Sequence, residues 1–186
     1  MLCACGVLIK QKTGIGRSMT SRTKTAYVND IEELTGIPSV LLYVPDSNNR
    51  IRFIRETLVE QNRIPLFGIY AQGELIAGSQ TLNEKSGCIS KLTNCIDSAL
   101  AAEDVSATTI RAPSVFADYK ISPLIQSKQG NMLDQLKPIS IVLVYSYGFG
   151  NFYNSFYRDV VQRVQTYEDQ CQLFVITIDQ IHSLPD

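Results

Sequence analysis

Two stretches of the chain, residues 39–78 and 139–179, carry the same succession of signals: an apolar run, a polar or glycine-containing loop, an amphipathic segment and a second apolar run. Each reads as strand, loop, helix, strand. In the second stretch residues 139–145 are apolar with little of the alternation of a half-wetted strand, as expected of a strand buried on both faces of a sheet. Phe156, Val160, Val161, Val164 and Tyr167 then recur at helical spacing, which gives a helix one apolar side. The run 173–178 closes the unit, and parallel strands joined by a right-handed helical crossover are the geometry it predicts. In the first stretch Val40, Leu41, Leu42, Tyr43 and Val44 form the opening strand. Ile51, Ile54, Leu58 and Val59 mark the inward face of a helix over 50–61, with Arg52, Arg55, Glu56 and Glu60 directed elsewhere. Residues 66–71 and 74–78 flank Gln72-Gly73, a β-hairpin in which glycine supplies the positive φ of the turn. These units imply an α/β fold with a mixed, largely parallel sheet and helices on both faces.

The rest of the chain is less regular. Asn29 reads as the N-cap of a short helix over 30–35, with Glu32 completing a capping box and Gly36 as the left-handed stop. Ile89, Leu92, Ile96, Ala99 and Leu100 predict a helix over 87–103, residues 108–110 and 114–119 short strands, and residues 121–138 a long connection with one helical turn near 132–136. Before residue 26, Lys10, Lys12, Arg17, Arg22 and Lys24 stand among serines and threonines, and no acid occurs before Asp30. Residues 1–25 therefore form a basic arm, or an edge strand at 5–10 followed by a loop, ahead of a single α/β domain over 26–186.

Composition removes several classes of function. The 17 basic and 18 acidic residues leave no global field to attract nucleic acid, so nucleic acid could be held only through the arm. The longest apolar runs have strand length, whereas a membrane span needs about 20 apolar residues. His182 is the lone histidine and lies near the end of the chain, which removes Ser-His-Asp hydrolysis, Cys-His proteolysis and multi-histidine metal sites. Cys3, Cys5, Cys88, Cys95 and Cys171 are odd in number and lack metal or redox spacing; they read as free, mostly buried thiols of a reducing compartment. A cytoplasmic location follows, with a mitochondrial one as the alternative because the first 25 residues have a transit-peptide composition. Nothing in the sequence specifies a cofactor or a metal.

Ligands of open α/β sheets sit outside the carboxyl ends of strands. The candidate ligand-binding residues are therefore Asp46, Asn48 and Asn49 after the first strand, Tyr147, Gly148, Gly150 and Asn151 after the strand of the second unit, and Asp179 at the end of its closing strand. The glycine-containing loop stands where backbone N–H groups could approach an anion at a helix N-terminus. It is not a dinucleotide fingerprint, because Tyr153 occupies the place of the third glycine. Tyr145, Tyr147, Phe149, Phe152, Tyr153, Phe156 and Tyr157 crowd the same window. A strand end, a loop and a first helical turn cannot bury all of them, so some belong to a binding surface.

The string Pro65-Leu66-Phe67-Gly68-Ile69-Tyr70-Ala71-Gln72-Gly73-Glu74-Leu75, preceded by the strand at 41–44 and the helix through Arg55 and Leu58, resembles the segment around the Gly-Glu dipeptide of FIST sensory domains. Over residues 40–78 that resemblance implies a ligand-sensing, signal-input module without catalysis. The function expected is thus a non-enzymatic binding or signal-input module that recognises a small ligand or a protein partner through loops at strand C-terminal ends. One alternative is a structural subunit of a large assembly. The other is a small α/β enzyme using Asp46 and Asp179, which requires both acids to converge in one cleft.

Overall fold

The apolar runs that dominate the sequence pair side by side at the centre of one sheet in a computed structural model, which describes residues 23–58, 66–78, 91–102, 110–125, 133 and 136–179. The described elements are α1 Lys24–Thr35, β1 Leu42–Val44, α2 Ser47–Leu58, β2 Phe67–Ala71, β3 Glu74–Gly78, α3 Lys91–Ala102, α4 Ser114–Tyr119, β4 Ser122–Pro123, β5 Ile139–Tyr145, α5 Asn151–Thr166 and β6 Cys171–Thr177. The six strands lie in the order β3-β2-β5-β6-β1-β4. The β5–β6 and β6–β1 pairs are parallel, while β2–β3, β2–β5 and β1–β4 are antiparallel. The protein is thus α/β, with a mixed open sheet that is parallel in its middle. Every residue of β5 and β6 is buried, which accounts for their near-continuous apolar runs.

Strand alternation distributes this core to two sides. Ile139, Ile141, Leu143 and Tyr145 of β5, with Cys171, Leu173 and Val175 of β6, meet Tyr27, Val28 and Ile31 of α1, Ile96 of α3, and Tyr157, Val160, Val161 and Val164 of α5. On the opposite face Val142, Val144, Phe174 and Ile176 meet Phe53 of α2 and Val115, Phe116 and Tyr119 of α4. There the rings of Tyr43 and Phe116 stand edge-on to Phe174, with centroids 5.3 and 4.9 Å away, a favourable quadrupole arrangement. Arg163 of α5 and Asp97 of α3 tie the first face together from outside, through an Nε to Oδ1 hydrogen bond of 3.0 Å.

The two sequence units build different topologies. β5 and β6, linked through α5, are parallel neighbours. β1 and β2, linked through α2, are separated by β6 and β5 and run in opposite directions. The hairpin at Gln72-Gly73 is present, with φ of 52° and 88°, as a two-residue primed turn requires. A side chain at Gly73 would approach the Ala112 carbonyl oxygen to 2.9 Å, so the turn is closed by glycine for space as well as conformation.

Several expected boundaries move. The helix ending at Gly36 (φ 72°) begins at Lys24, because Thr23 rather than Asn29 accepts from the Ala26 amide; Lys24, expected in the basic arm, is its first residue. Val40 and Leu41 leave the opening strand for a 3-10 turn after Pro38, with Val40 40% exposed. Residues 114–119 are helical, initiated after Pro113 and stopped by left-handed Lys120. Ser122 and Pro123, expected within a connection, add β4 to the sheet edge. In α2 two positions depart from the expected faces, Ile51 being 78% exposed and Glu56 3% exposed, while Ile54 and Leu58 pack against the core and Arg52 and Arg55 are exposed as expected. Among the remaining expectations, Lys10, Lys12, Arg17, Arg22, Cys3, Cys5, Cys88 and His182 lie outside the described residues.

Phe174→Ala should cost about 3–5 kcal/mol, the range for emptying a buried aromatic site. Ile51→Ala should stay within about 0.5 kcal/mol of the parent, as surface changes do. Urea unfolding of both variants checks the face assignment of α2 together with the core.

Candidate functional site

Because β1, β5 and β6 are parallel, the segments that follow them emerge at one end of the sheet. After β1, Asp46 caps α2. Its Oδ1 accepts from the Asn48 amide at 2.7 Å and its carbonyl from the Asn49 amide at 3.0 Å, which satisfies two of the free N–H groups of the first turn. Ser47, Asn48 and Asn49, expected in a loop, are therefore the opening residues of the helix. Asn48 is exposed and Asn49 half-buried.

After β6 the chain reaches Asp179, which is only 4% exposed. Its Oδ1 accepts from the Ser146 hydroxyl at 2.6 Å, and its Oδ2 from the Tyr147 amide at 2.7 Å and the Tyr27 hydroxyl at 2.9 Å. The Asp179 amide donates to Thr177 Oγ1 at 3.2 Å, and that hydroxyl also bonds Tyr27. With the Tyr27 proton directed at Asp179, Thr177 is left to donate to Tyr27. From the other face of the sheet Arg50 of α2 sends Nη2 to the Ile178 carbonyl at 2.9 Å. Its Nε is buried without a hydrogen-bond partner among the described residues. Burial raises the Asp179 carboxyl above its ordinary range and outweighs the opposing hydrogen bonds from Ser146, Tyr147 and Tyr27 and the charge of Arg50.

The loop between β5 and α5 is fixed by this carboxylate. The Tyr147 amide goes to Asp179, the Gly148 amide to Ser146 Oγ at 3.1 Å, and the Phe149 amide to the Ser146 carbonyl at 3.0 Å. Three amides of the loop expected to approach an anion thus bond within the protein. Gly150, at φ 81°, turns the chain into α5, whose first residue is Asn151. Of the crowded aromatics, Tyr145 and Tyr157 are core, ring to edge at 5.2 Å, and the Tyr157 hydroxyl donates to the Val144 carbonyl. Tyr147, Phe149 and Tyr153 are half-buried, the last two in ring contact at 5.3 Å. The side chain of Phe152 lies outside the described set.

The structure thus unites Asp179 with Tyr147 directly and with Gly148 through Ser146, and joins the end of β6 to α2 through Arg50. Tyr27, Ser146, Thr177 and Arg50 were absent from the sequence candidates. Ser146 alone had a signal, as the first polar residue after an apolar strand. Tyr27 sits 152 positions from Asp179, and no local periodicity reports such a pairing.

A second polar cluster lies on the α2 and α4 face. Glu56 receives the Tyr119 hydroxyl on Oε2 and Arg52 Nε on Oε1 at 2.8 Å, and the Arg52 guanidinium stacks 4.9 Å from the Tyr119 ring centre. Burial, then the bond to Glu56, pushes the Tyr119 hydroxyl up to about 12. Among the described residues no three His, Cys, Asp or Glu side chains are grouped to hold a metal ion, and no helix is long and apolar enough to cross a membrane. Comparison with family models, with curated proteins and with solved structures finds no match.

Asp179→Ala should lose about 2–4 kcal/mol, since it strands several buried donors at about 1–3 kcal/mol each before relaxation. The raised carboxyl also gives a sign to the pH dependence. Its neutral form stabilises the fold fully below the ordinary carboxyl value of about 3.9, and that contribution is lost as pH rises through the higher native value. The stability of Asp179→Asn relative to the parent should therefore increase between pH 4 and pH 7, as read from thermal midpoints at the two pH values.

Proposed function

We propose that the protein is a non-enzymatic binding module that recognises a small ligand or a protein partner through the segments after β1 and β5. Asn48, Asn49, Tyr147, Gly148 and Asn151 form the contact side, with buried Gly150 setting the turn between them and Asp179 acting from behind. The observation that carries this reading is the buried Asp179 carboxylate, whose bonds to Ser146 and Tyr147 immobilise the loop after β5. Burying a carboxylate costs stability unless it is well bonded, and here the return is a loop of fixed shape. A preordered loop with half-buried Tyr147 and Phe149 loses little further entropy on binding, and aromatic side chains of this kind supply much of the energy of recognition surfaces. The same enclosure supports binding over the two-carboxylate enzyme: Asp179 is shut from solvent and Asp46 is engaged as a helix cap. Signal input, implied by the likeness of residues 65–75 to FIST domains, is one use of such a module.

Thermal-shift screening against nucleotides, amino acids and divalent metals, alongside affinity capture with the full chain, tests this reading. One ligand class should raise the midpoint of the parent, or one partner should co-purify, and Tyr147→Ala should abolish that response while the protein stays folded. A panel without any shift, together with capture of no partner, would refute it.

A further inference from the structure

A cleft of about 170 Å³ opens between α2, α4 and the β2–β3 hairpin. It is separate from the strand-end loops. Tyr70 on its sheet side pairs with Ser140 near the start of β5, six positions before Ser146 and so about 20 Å along the strand. Arg52 and Glu56 line one wall, Ser114, Asp118 and Tyr119 the other, and Leu75 the rim.

Three observations define what the cleft would take. The first is Tyr70. It is 4% exposed, it lines the cleft, and its hydroxyl makes no hydrogen bond among the described residues. Among the described residues only Arg50 Nε is fully enclosed without a partner, so the Tyr70 hydroxyl meets the open space of the cleft, where phenylalanine would offer no polar atom, and it can bond a group that enters there. The second is charge. Among the described residues lining the cleft, Glu56 and Asp118 face one cation, Arg52, and Arg52 is already bonded to Glu56 at 2.8 Å. Asp118 is left as the unbalanced charge; it is exposed on α4, and its field bears on Tyr70, Tyr119 and Arg52 alike. The third is size. A cavity of about 150 Å³ admits a benzene molecule, so this cleft accepts a ligand of about six heavy atoms.

We propose that the cleft binds a small organic amine, its ammonium group held between the Asp118 carboxylate and the Tyr70 hydroxyl and its short apolar chain laid against Leu75 and Val115. A carboxylate beside an aromatic ring is a general arrangement for cations, and the face of Tyr119 is already taken by Arg52, which leaves Tyr70 as the ring available to the ligand. The apolar rim selects an amine carrying carbon over a bare ammonium ion.

The test is a titration of the isotopically labelled full chain with n-butylamine, using n-butanol and butyrate as neutral and anionic probes of the same length, followed by amide chemical shifts. Butylamine should give saturable shifts centred on Tyr70, Leu75, Asp118 and Tyr119, with dissociation at about the millimolar level expected of so small a ligand. Asp118→Asn, at an exposed position, and Tyr70→Phe, which deletes one unbonded oxygen, should each weaken binding at least fivefold while leaving the spectrum dispersed. Tyr147→Ala should leave it unchanged, which separates this site from the strand-end loops. The proposal is overturned if no saturable shift arises at these residues up to tens of millimolar, if butanol or butyrate binds as tightly, or if Asp118→Asn binds butylamine as the parent does.

Discussion

The parallel pairing of β5 with β6 is the constraint from which the remaining structure follows. Their register joins all seven residues of one strand to all seven of the other, and alternate side chains on both strands supply the middle of both cores. Pairing two chain segments in parallel requires a crossover, and α5 provides it on one face. The same alternation then requires a second cover on the other face, which α2 and α4 provide. Parallelism also sets where chemistry can gather. Because β1, β5 and β6 end together, Asp179, Ser146 and Arg50 meet at one end of the sheet although they are distant in sequence.

At that end the polar groups act on one another before they can act on anything else. The amides of Tyr147, Gly148 and Phe149 are engaged by Asp179 and Ser146, so the first half of the loop is held by the protein itself. It is a rigid support for the side chains it carries. The cleft on the α2 and α4 face has the opposite character. Its Glu56 is bonded to Tyr119 and Arg52, while Tyr70 and Asp118 line the open space beside it.

The legible part of this architecture was the part set by composition over five or more residues. Residues 139–145 and 173–178 declared themselves as interior strands because no polar side chain could be tolerated on either face in number, and Gly73 declared a hairpin because its φ and its crowding against Ala112 exclude other residues. The end of α1 at Gly36 was equally plain. Its start was not, since Thr23 and Asn29 are both competent caps and only the burial of Tyr27 and Val28 decides between them. Residues 114–119 have β-prone Val, Phe and Tyr, but Pro113 and the contact of the Ser114 amide with the Gly73 carbonyl place them in a helix across the sheet. Of the site, the strand ends were located from sequence and their roles were not, because whether Asp179 faces outward or is enclosed depends on Tyr27 arriving from α1.

The misreading of α2 has the most general physical cause. A helix with Ile51, Ile54 and Leu58 appears to have its apolar stripe ready-made, yet Phe53 is its only fully buried apolar side chain. With Ile54 and Leu58 only partly buried beside that ring, apolar contact alone leaves rotation about the helix axis loosely determined. The rotation is fixed instead by polar groups: Asp46 at the N-terminus, Arg50 reaching the Ile178 carbonyl, and Glu56 bonded to Tyr119. Each bond is directional and fails if the helix turns by one position, whereas apolar contact degrades gradually. Ile51 is therefore left in solvent as the consequence of satisfying Arg50 and Glu56 together, and those two residues attach α2 to the strand-end loop and to the cleft.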